Sequence, residues 1–172
     1  YVRGVRCFIC SELPEDDVFQ DAAFAVVPDV MAALHTLASQ HRSRFDYPVV
    51  GITGSNGKTV VKEWLTRLLV PAMRVVRSPK SYNSQLGVPL SVWNMSDDDD
   101  VAVIECGISK PGEMDKLQSI VQPSIGIFTH VGNAHLEHFR DVSELVQEKC
   151  RLFASAQKVY YRADQPEIAE GL

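Results

Sequence analysis

From Pro48 onward, short apolar runs alternate with stretches of helical periodicity, and this constrains the fold more than any other feature. Val49-Val50-Gly51-Ile52-Thr53, Arg74-Val75-Val76, Val101-Ala102-Val103-Ile104, Ile125-Gly126-Ile127-Phe128 and Lys158-Val159-Tyr160-Tyr161 read as five strands. Between them lie patterns spaced for helices. The first carries Val60, Val61, Trp64, Leu65, Leu68 and Leu69. The second is short, Gly87 to Trp93. The third, Gly112 to Val121, turns Met114, Leu117, Ile120 and Val121 inward. The last starts at Asp141, with Glu144 three residues on as in a capping box, and buries Leu145, Val146, Leu152 and Phe153. Strands separated by amphipathic helices imply an α/β fold, a three-layer arrangement with a mostly parallel sheet covered on both faces.

Residues 1–46 read differently. Two short strands, 5–10 and 23–27, flank an acidic, turn-rich stretch from Glu12 to Asp21. Pro28-Asp29 then opens a helix with Met31, Leu34, Leu37 and Ala38 on one face, ending in His41-Arg42-Ser43-Arg44. This segment reads as the end of a small α/β unit, with a boundary near Asp46-Tyr47-Pro48. The chain lacks an initiating Met and the basic-then-apolar layout of a signal peptide, as expected for a piece of a longer protein.

Seventeen basic and twenty-two acidic residues leave a net charge of −5, with no electrostatic case for nucleic acid. No apolar run approaches the roughly 18 residues of a membrane span. The cysteines at 7, 10, 106 and 150 do not suggest a disulfide framework. Cys7 and Cys10 fall on a strand, where i and i+3 face opposite ways, so structural thiols in a reducing, cytoplasmic setting are expected.

In a parallel sheet of this kind ligands sit at the carboxyl ends of the strands. Gly54-Ser55-Asn56-Gly57-Lys58-Thr59 lies there, between the first strand of the alternating region and its helix. Backbone N–H groups and a helix N-terminus in that position can hold phosphates. Lys58 would reach the β- and γ-phosphates, and the Thr59 hydroxyl would ligate Mg²⁺. The spacing is G-x-x-G-K-T rather than the common G-x-x-x-x-G-K-T. Glu105 ends the third strand, where it either ligates a metal in the crevice or faces solvent.

His130, His135 and His138 cluster after the fourth strand, but the i, i+4 pairing of a helical zinc site is absent. His135 is the better candidate for a single ligand or polar contact to a nucleotide-bound metal, with His130 and His138 as loop residues. Lys149 falls beside the apolar stripe of its helix. There it is either buried at a cost, paired or neutralised, or lays its stem along the helix edge. Asp97 to Asp100 reads as a solvated turn.

These residues resemble a known family. Thr53-Gly54-Ser55-Asn56-Gly57-Lys58-Thr59 is similar to the phosphate loop of the Mur ligases, the ATP-dependent amide-forming enzymes of peptidoglycan synthesis. Asn83-Ser84-Gln85-Leu86-Gly87-Val88-Pro89-Leu90 and Ala134-His135-Leu136-Glu137 resemble the MurF type, which joins D-alanyl-D-alanine to UDP-N-acetylmuramoyl-tripeptide. Val61-Lys62-Glu63-Trp64-Leu65, Arg77-Ser78-Pro79-Lys80-Ser81-Tyr82-Asn83 and Glu148-Lys149 look closest to the form fused to an alanine racemase.

The resemblance runs from about residue 22 to 162 and implies roles. Lys58 and the loop amides would hold the ATP phosphates, Thr59 one Mg²⁺, and Asn83 would lie near the γ-phosphate. Glu105 and His135 match ligands of a second Mg²⁺, and Lys149 matches a lysine carried as a carbamate, an anion that binds metal. Residues 1–46 correspond to the end of the domain that holds the UDP-sugar, and 47–172 to an incomplete ATP-binding domain. Arg151 stands where many relatives have an acid. The family's C-terminal domain would lie beyond Leu172, so weak nucleotide binding and no turnover are expected of this piece alone. The rival expectations are another amide ligase of the same superfamily, adding a different amino acid or glutamate to a folate, a non-catalytic nucleotide-binding module, and a simple P-loop phosphotransferase or GTPase.

Overall fold

The computed structural model describes residues 3–15, 19, 21–132 and 136–172. Seven strands and six α-helices follow one another along it. The first strands, β1 (Cys7–Cys10) and β2 (Ala23–Val26), form a separate parallel pair. Helix α1 (Val30–Arg42) begins at Asp29, whose carboxylate accepts the backbone N–H groups of Met31 and Ala32 at 2.8 and 3.0 Å. An extended residue with a short acidic side chain satisfies two otherwise orphaned donors in this way.

The second sheet contains β3 (Val49–Thr53), β4 (Val75–Arg77), β5 (Val101–Glu105), β6 (Ile125–Phe128) and β7 (Lys158–Tyr160). All neighbouring pairs are parallel, in the order β4-β5-β3-β6-β7. Between them run α2 (Lys58–Leu69), α3 (Gly87–Val92), α4 (Glu113–Val121) and α5 (Val142–Cys150), and α6 (Pro166–Gly171) follows β7. From β3 the chain runs out to β4 at the sheet edge, returns to β5 beside β3, and then crosses to β6 on the other side of β3. The crevice above the carboxyl end of β3 is therefore the switch point of the sheet.

Side chains alternate across the sheet, which sorts the core into two layers. Val49, Ala102, Ile104 and Phe128 face one way and pack with Ala38 of α1, Val88 and Val92 of α3, Leu117 and Ile120 of α4, and Leu145 of α5. Val50, Ile52, Val101 and Val103 face the other way, against Val61, Leu65 and Leu69 of α2. The first layer is thickly covered. Over the second, α2 leaves an apolar hollow of about 400 Å³ floored by Val50, Val101, Ile125 and Ile127, so coverage of both faces is unequal among the described residues.

Two helix faces differ from those the spacing suggests. Val60, Trp64 and Leu68 of α2 stay exposed, Trp64 at 65% and Leu68 at 78%. Lys62 and Thr66 are the buried residues of that helix. On α1, Met31 and Leu37 are exposed and Ala38 is buried. The helix is held instead by polar side chains on backbone carbonyls. His35 Nε2 lies 2.7 Å from Gln85 O, His41 Nε2 lies 3.0 Å from Met95 O, and Arg42 Nε donates to Val121 O at 2.9 Å.

Candidate functional site

The loop between β3 and α2 stands at the switch point. Gly54 and Gly57 take φ of +137° and +83°, conformations that side-chain-bearing residues rarely adopt. At Gly54 a Cβ would also fall 2.2 Å from Thr129 Oγ1. Two glycines three apart are thus required by the backbone itself. Gly57 serves as the N-cap of α2 with no side-chain cap, leaving the first N–H groups of the helix turned toward the loop.

The carboxyl end of β6 fixes the loop in place. Ser55 N donates to His130 O at 2.7 Å, Ser55 Oγ to Gly132 O at 3.0 Å, and Thr129 Oγ1 to Asn56 O at 2.6 Å. Gln165, just before α6, braces that end in turn. Its Oε1 accepts from Val131 N at 3.0 Å and lies 3.0 Å from His130 Nδ1, and its Nε2 donates to Val131 O at 3.1 Å. His130 is therefore a half-buried member of the loop's support.

Lys58 Nζ donates to Gly54 O at 2.7 Å, arching over the loop. Burial lowers its pKa, and the nearby Glu105 carboxylate partly offsets this. Thr59 Oγ1 donates to Glu105 Oε2 at 3.1 Å. Glu105 reaches this place because strand alternation puts it on the same face as Val101 and Val103, the face covered by α2. It is fully buried, and its Oε1 accepts no hydrogen bond. Lys62 Nζ lies 3.3 Å from that oxygen, and it also contacts Glu63 Oε1 at 3.2 Å and Ser78 O at 2.9 Å. Sequence patterning missed Lys62, which the apolar spacing of α2 places on no obvious face.

Asn83 holds the far wall. Its carbonyl accepts from Gly107 N at 2.7 Å, and the residue borders two clefts, of about 240 and 330 Å³. The smaller is lined by Ser55, Asn56, Gly57, Lys58 and Thr59. The larger is shared by Lys58, Asn83, Gln85, Gly107, Ser109 and Lys149. Lys149 is only 2% exposed, which excludes a stem lying along the helix edge. Its pKa falls to about 8, chiefly through burial and further through the Lys58 charge. Glu148 anchors this part of α5 by accepting from Gly112 N and Met114 N at 2.7 and 3.2 Å. Arg151 pairs with Asp115 at 2.5 Å and Glu148 at 3.4 Å, away from the clefts.

The structure thus brings together Gly54, Ser55, Asn56, Gly57, Lys58, Thr59, Asn83, Glu105 and Lys149. His135 lies outside the described residues. His138 is exposed beside Glu137. Asp98 and Asp100 pair with Arg74 in a surface turn. Cys7, Cys10, Cys106 and Cys150 are free thiols. Burial pushes the Cys150 thiol up to about 11 and the Cys106 thiol further still, so both stay protonated. Among the described residues no three His, Cys, Asp or Glu side chains cluster as a metal site, and no helix is long and apolar enough to cross a membrane.

The oxygens of Thr59 and Glu105 are hard donors suited to Mg²⁺. Glu105 Oε1 accepts no hydrogen bond and faces the Lys62 ammonium, while Oε2 lies 3.1 Å from Thr59 Oγ1, so two hard oxygen donors stand side by side and fit that ion.

A parallel α/β domain with a glycine loop, a lysine and an acid converging at its switch point defines a class, the loop-and-helix phosphate-binding domains. Comparison with known proteins narrows the class. Residues 52–170 match the family model described as the Mur ligase middle domain. The chain belongs to the Mur ligase family.

It is 31% identical over 163 residues to a UDP-N-acetylmuramoyl-tripeptide–D-alanyl-D-alanine ligase of Borreliella burgdorferi, covering 91% of this chain and 35% of the relative. Over 146 residues it is 32% identical to the ligase of the same name from Synechocystis sp., with 85% of this chain and 32% of the relative covered. Among solved structures, MurF ligase from Thermotoga maritima in complex with ADP aligns with a TM-score of 0.84 at 25% identity, covering 99% of this chain and 46% of that one. MurF from Acinetobacter baumannii aligns with a TM-score of 0.80 at 27% identity, covering 94% and 37%. The chain therefore spans about a third of the length of these curated relatives.

Proposed function

We propose that this chain is the nucleotide-binding part of a cytoplasmic ATP-dependent ligase of peptidoglycan precursor synthesis. The whole protein would join D-alanyl-D-alanine to UDP-N-acetylmuramoyl-tripeptide. Residues 1–46 would be the end of the domain that holds the UDP-substrate, and 47–172 part of the central domain. The form fused to an alanine racemase is the one its Val61–Leu65 and Arg77–Asn83 runs resemble.

The observation that carries this reading is the convergence of Lys58, Thr59, Asn83, Glu105 and Lys149 around two adjoining clefts. The names of the relatives and the ADP complex of a structural neighbour support it.

The chemistry starts with transfer of the γ-phosphoryl group of ATP to the terminal carboxylate of the tripeptide. The amine of D-alanyl-D-alanine then attacks the acyl phosphate, releasing phosphate and forming the amide. Such a reaction demands positioning and charge neutralisation more than covalent help from the protein. The loop amides and the N-terminus of α2 would hold the β- and γ-phosphates. Lys58 would exchange its bond to Gly54 O for a phosphate oxygen. Asn83 would lie beside the γ-phosphate, with its backbone fixed to Gly107.

Thr59 and Glu105 would hold Mg²⁺, with His135 as a further ligand. When bound, the ion neutralises phosphate charge and orients the transferring group. Lys149, with a pKa near 8, keeps a fraction of free amine at neutral pH. That amine can add CO₂ and release a proton, giving an anionic carbamate in the wall of the larger cleft.

Lys58→Ala in the full-length protein is expected to abolish ATP-dependent release of phosphate in the presence of both substrates. Substantial retained turnover would sink the phosphate-loop assignment.

A further inference from the structure

Lys62 is one helical turn beyond Lys58, on the side of α2 that faces the sheet, and it is fully buried. A buried ammonium costs several kcal/mol unless its protons and charge are met. Here they are met by Glu63 on its own helix and by groups of β5 and of the segment that leads to Asn83. Nζ donates to Ser78 O at 2.9 Å and to Lys80 O, and it lies 3.3 Å from Glu105 Oε1. The carbonyls of Ser78 and Lys80 start the loop that ends at Asn83. Lys80 has φ of +49°, a left-handed backbone that a residue with a side chain keeps only when its surroundings hold it there.

The charges alternate along one row. Arg77 pairs with Glu63, Glu63 with Lys62 at 3.2 Å, and Lys62 with Glu105 at 3.3 Å, beyond which Glu105 accepts from Thr59 at 3.1 Å. The row runs from the half-exposed end of β4 into the buried end of β5. Ser78 also ties the two walls directly, since its Oγ accepts from Glu105 N at 3.0 Å.

We propose that Lys62 is a positioning residue of the ligase. It touches neither nucleotide nor substrate, but it orients the Glu105 carboxylate and clamps the Ser78–Asn83 loop to the helix that carries Lys58 and Thr59. The proposal rests on the nucleotide-site reading above for its consequence in binding, while the clamp itself is a property of the protein alone.

The test uses Lys62→Met in the full-length protein, which keeps an unbranched stem and removes the donors and the charge. Two readouts are taken: backbone hydrogen exchange without ligand, and calorimetric affinity for ATP with and without Mg²⁺. Loss of a residue that orients a ligand should raise the Mg²⁺ concentration for half-maximal ATP binding by about tenfold or more. Metal-free ATP binding should weaken by a smaller factor than Mg²⁺-dependent binding. Exchange should quicken in residues 78–83 and 105–107 while α4 and α5 keep their protection. Unchanged exchange in those segments, or a uniform loss of protection throughout, would overturn the clamp.

If Lys62→Met does not fold, Lys62→Met/Glu105→Gln, which leaves no unpaired charge, is compared with Glu105→Gln alone. Faster exchange of residues 78–83 in the double variant supports the clamp, and equal exchange overturns it. Lys58→Ala separates the two levels. If it leaves ATP binding intact, the nucleotide-site reading falls, and the exchange data still decide the role of Lys62.

Discussion

Lys149 carries a cationic group into a position with almost no solvent, and no acceptor is bonded to its ammonium among the described residues. The depression from 10.5 to about 8 corresponds to roughly 3 kcal/mol of strain on the charged form. The sign follows from proton counting. Below pH 8 the lysine is charged in both folded and unfolded chains, and the cost is fully present. Between 8 and 10.5 the folded chain has released the proton while the unfolded chain still holds it, so stability rises with pH through that window. Above 10.5 both forms are neutral and the contribution levels off.

Lys149→Met is expected to melt higher than the wild type at pH 7 in CO₂-free buffer, with the gap closing between pH 8 and 10.5. Parallel melting curves across that range would contradict the assignment of an uncompensated buried amine. Lys58 and Thr59 were legible as candidate site residues because the signal lies in local spacing after a strand. Lys62 was not. The six apolar residues of α2 form two neighbouring lines, 61-65-69 and 60-64-68, and nothing local says which faces the sheet. The first does, and that choice draws Lys62 and Thr66 inward.

At the scale of elements, the ends of helices decide where the site residues stand. Helix α4 starts at Gly112, which offers no side-chain cap, and the missing acceptor comes from Glu148 on α5. This bond links the helix bearing Lys149 to the helix beside the larger cleft. Glu148→Ala would leave Gly112 N and Met114 N without their acceptor, at a cost of about 1–3 kcal/mol. Thermal unfolding should show a lower melting temperature for Glu148→Ala and a smaller drop for Glu148→Gln, which keeps one acceptor oxygen. An unchanged midpoint in both would show that α4 needs no cap from α5.

The Asp29 and Asp141 caps were readable from sequence because each acts within its own helix. The Glu148 cap was not, since it crosses from one helix to another 34 residues away. The attachment of α1 was equally hidden. It depends on His35 and His41 reaching the carbonyls of Gln85 and Met95, which flank α3, and on Arg42 reaching that of Val121 in α4, and such bonds leave no periodic trace.

At the scale of the whole molecule, the alternation of strand and helix was enough to give a parallel sheet and to point to the crevice at its switch point as the candidate site. The order β4-β5-β3-β6-β7 then gathers loops from four distant segments above β3. The unequal cover of the two faces was not legible, because periodicity records which residues are apolar and not how many helices lie over each face. The two-stranded unit of β1 and β2 stands apart from the large sheet in its pairing, whereas α1, which follows it, packs Ala38 into the core of that sheet.

The account depends on one thing above all, that the Gly54–Thr59 loop holds nucleotide phosphates. Calorimetric titration of the full-length protein with Mg²⁺-ATP, alongside Lys58→Ala, tests it most directly. The account predicts one nucleotide bound per chain by the wild type and no measurable binding by the variant, with both proteins melting at similar temperatures. Equal affinity in the two, or no binding by the wild type, would contradict it.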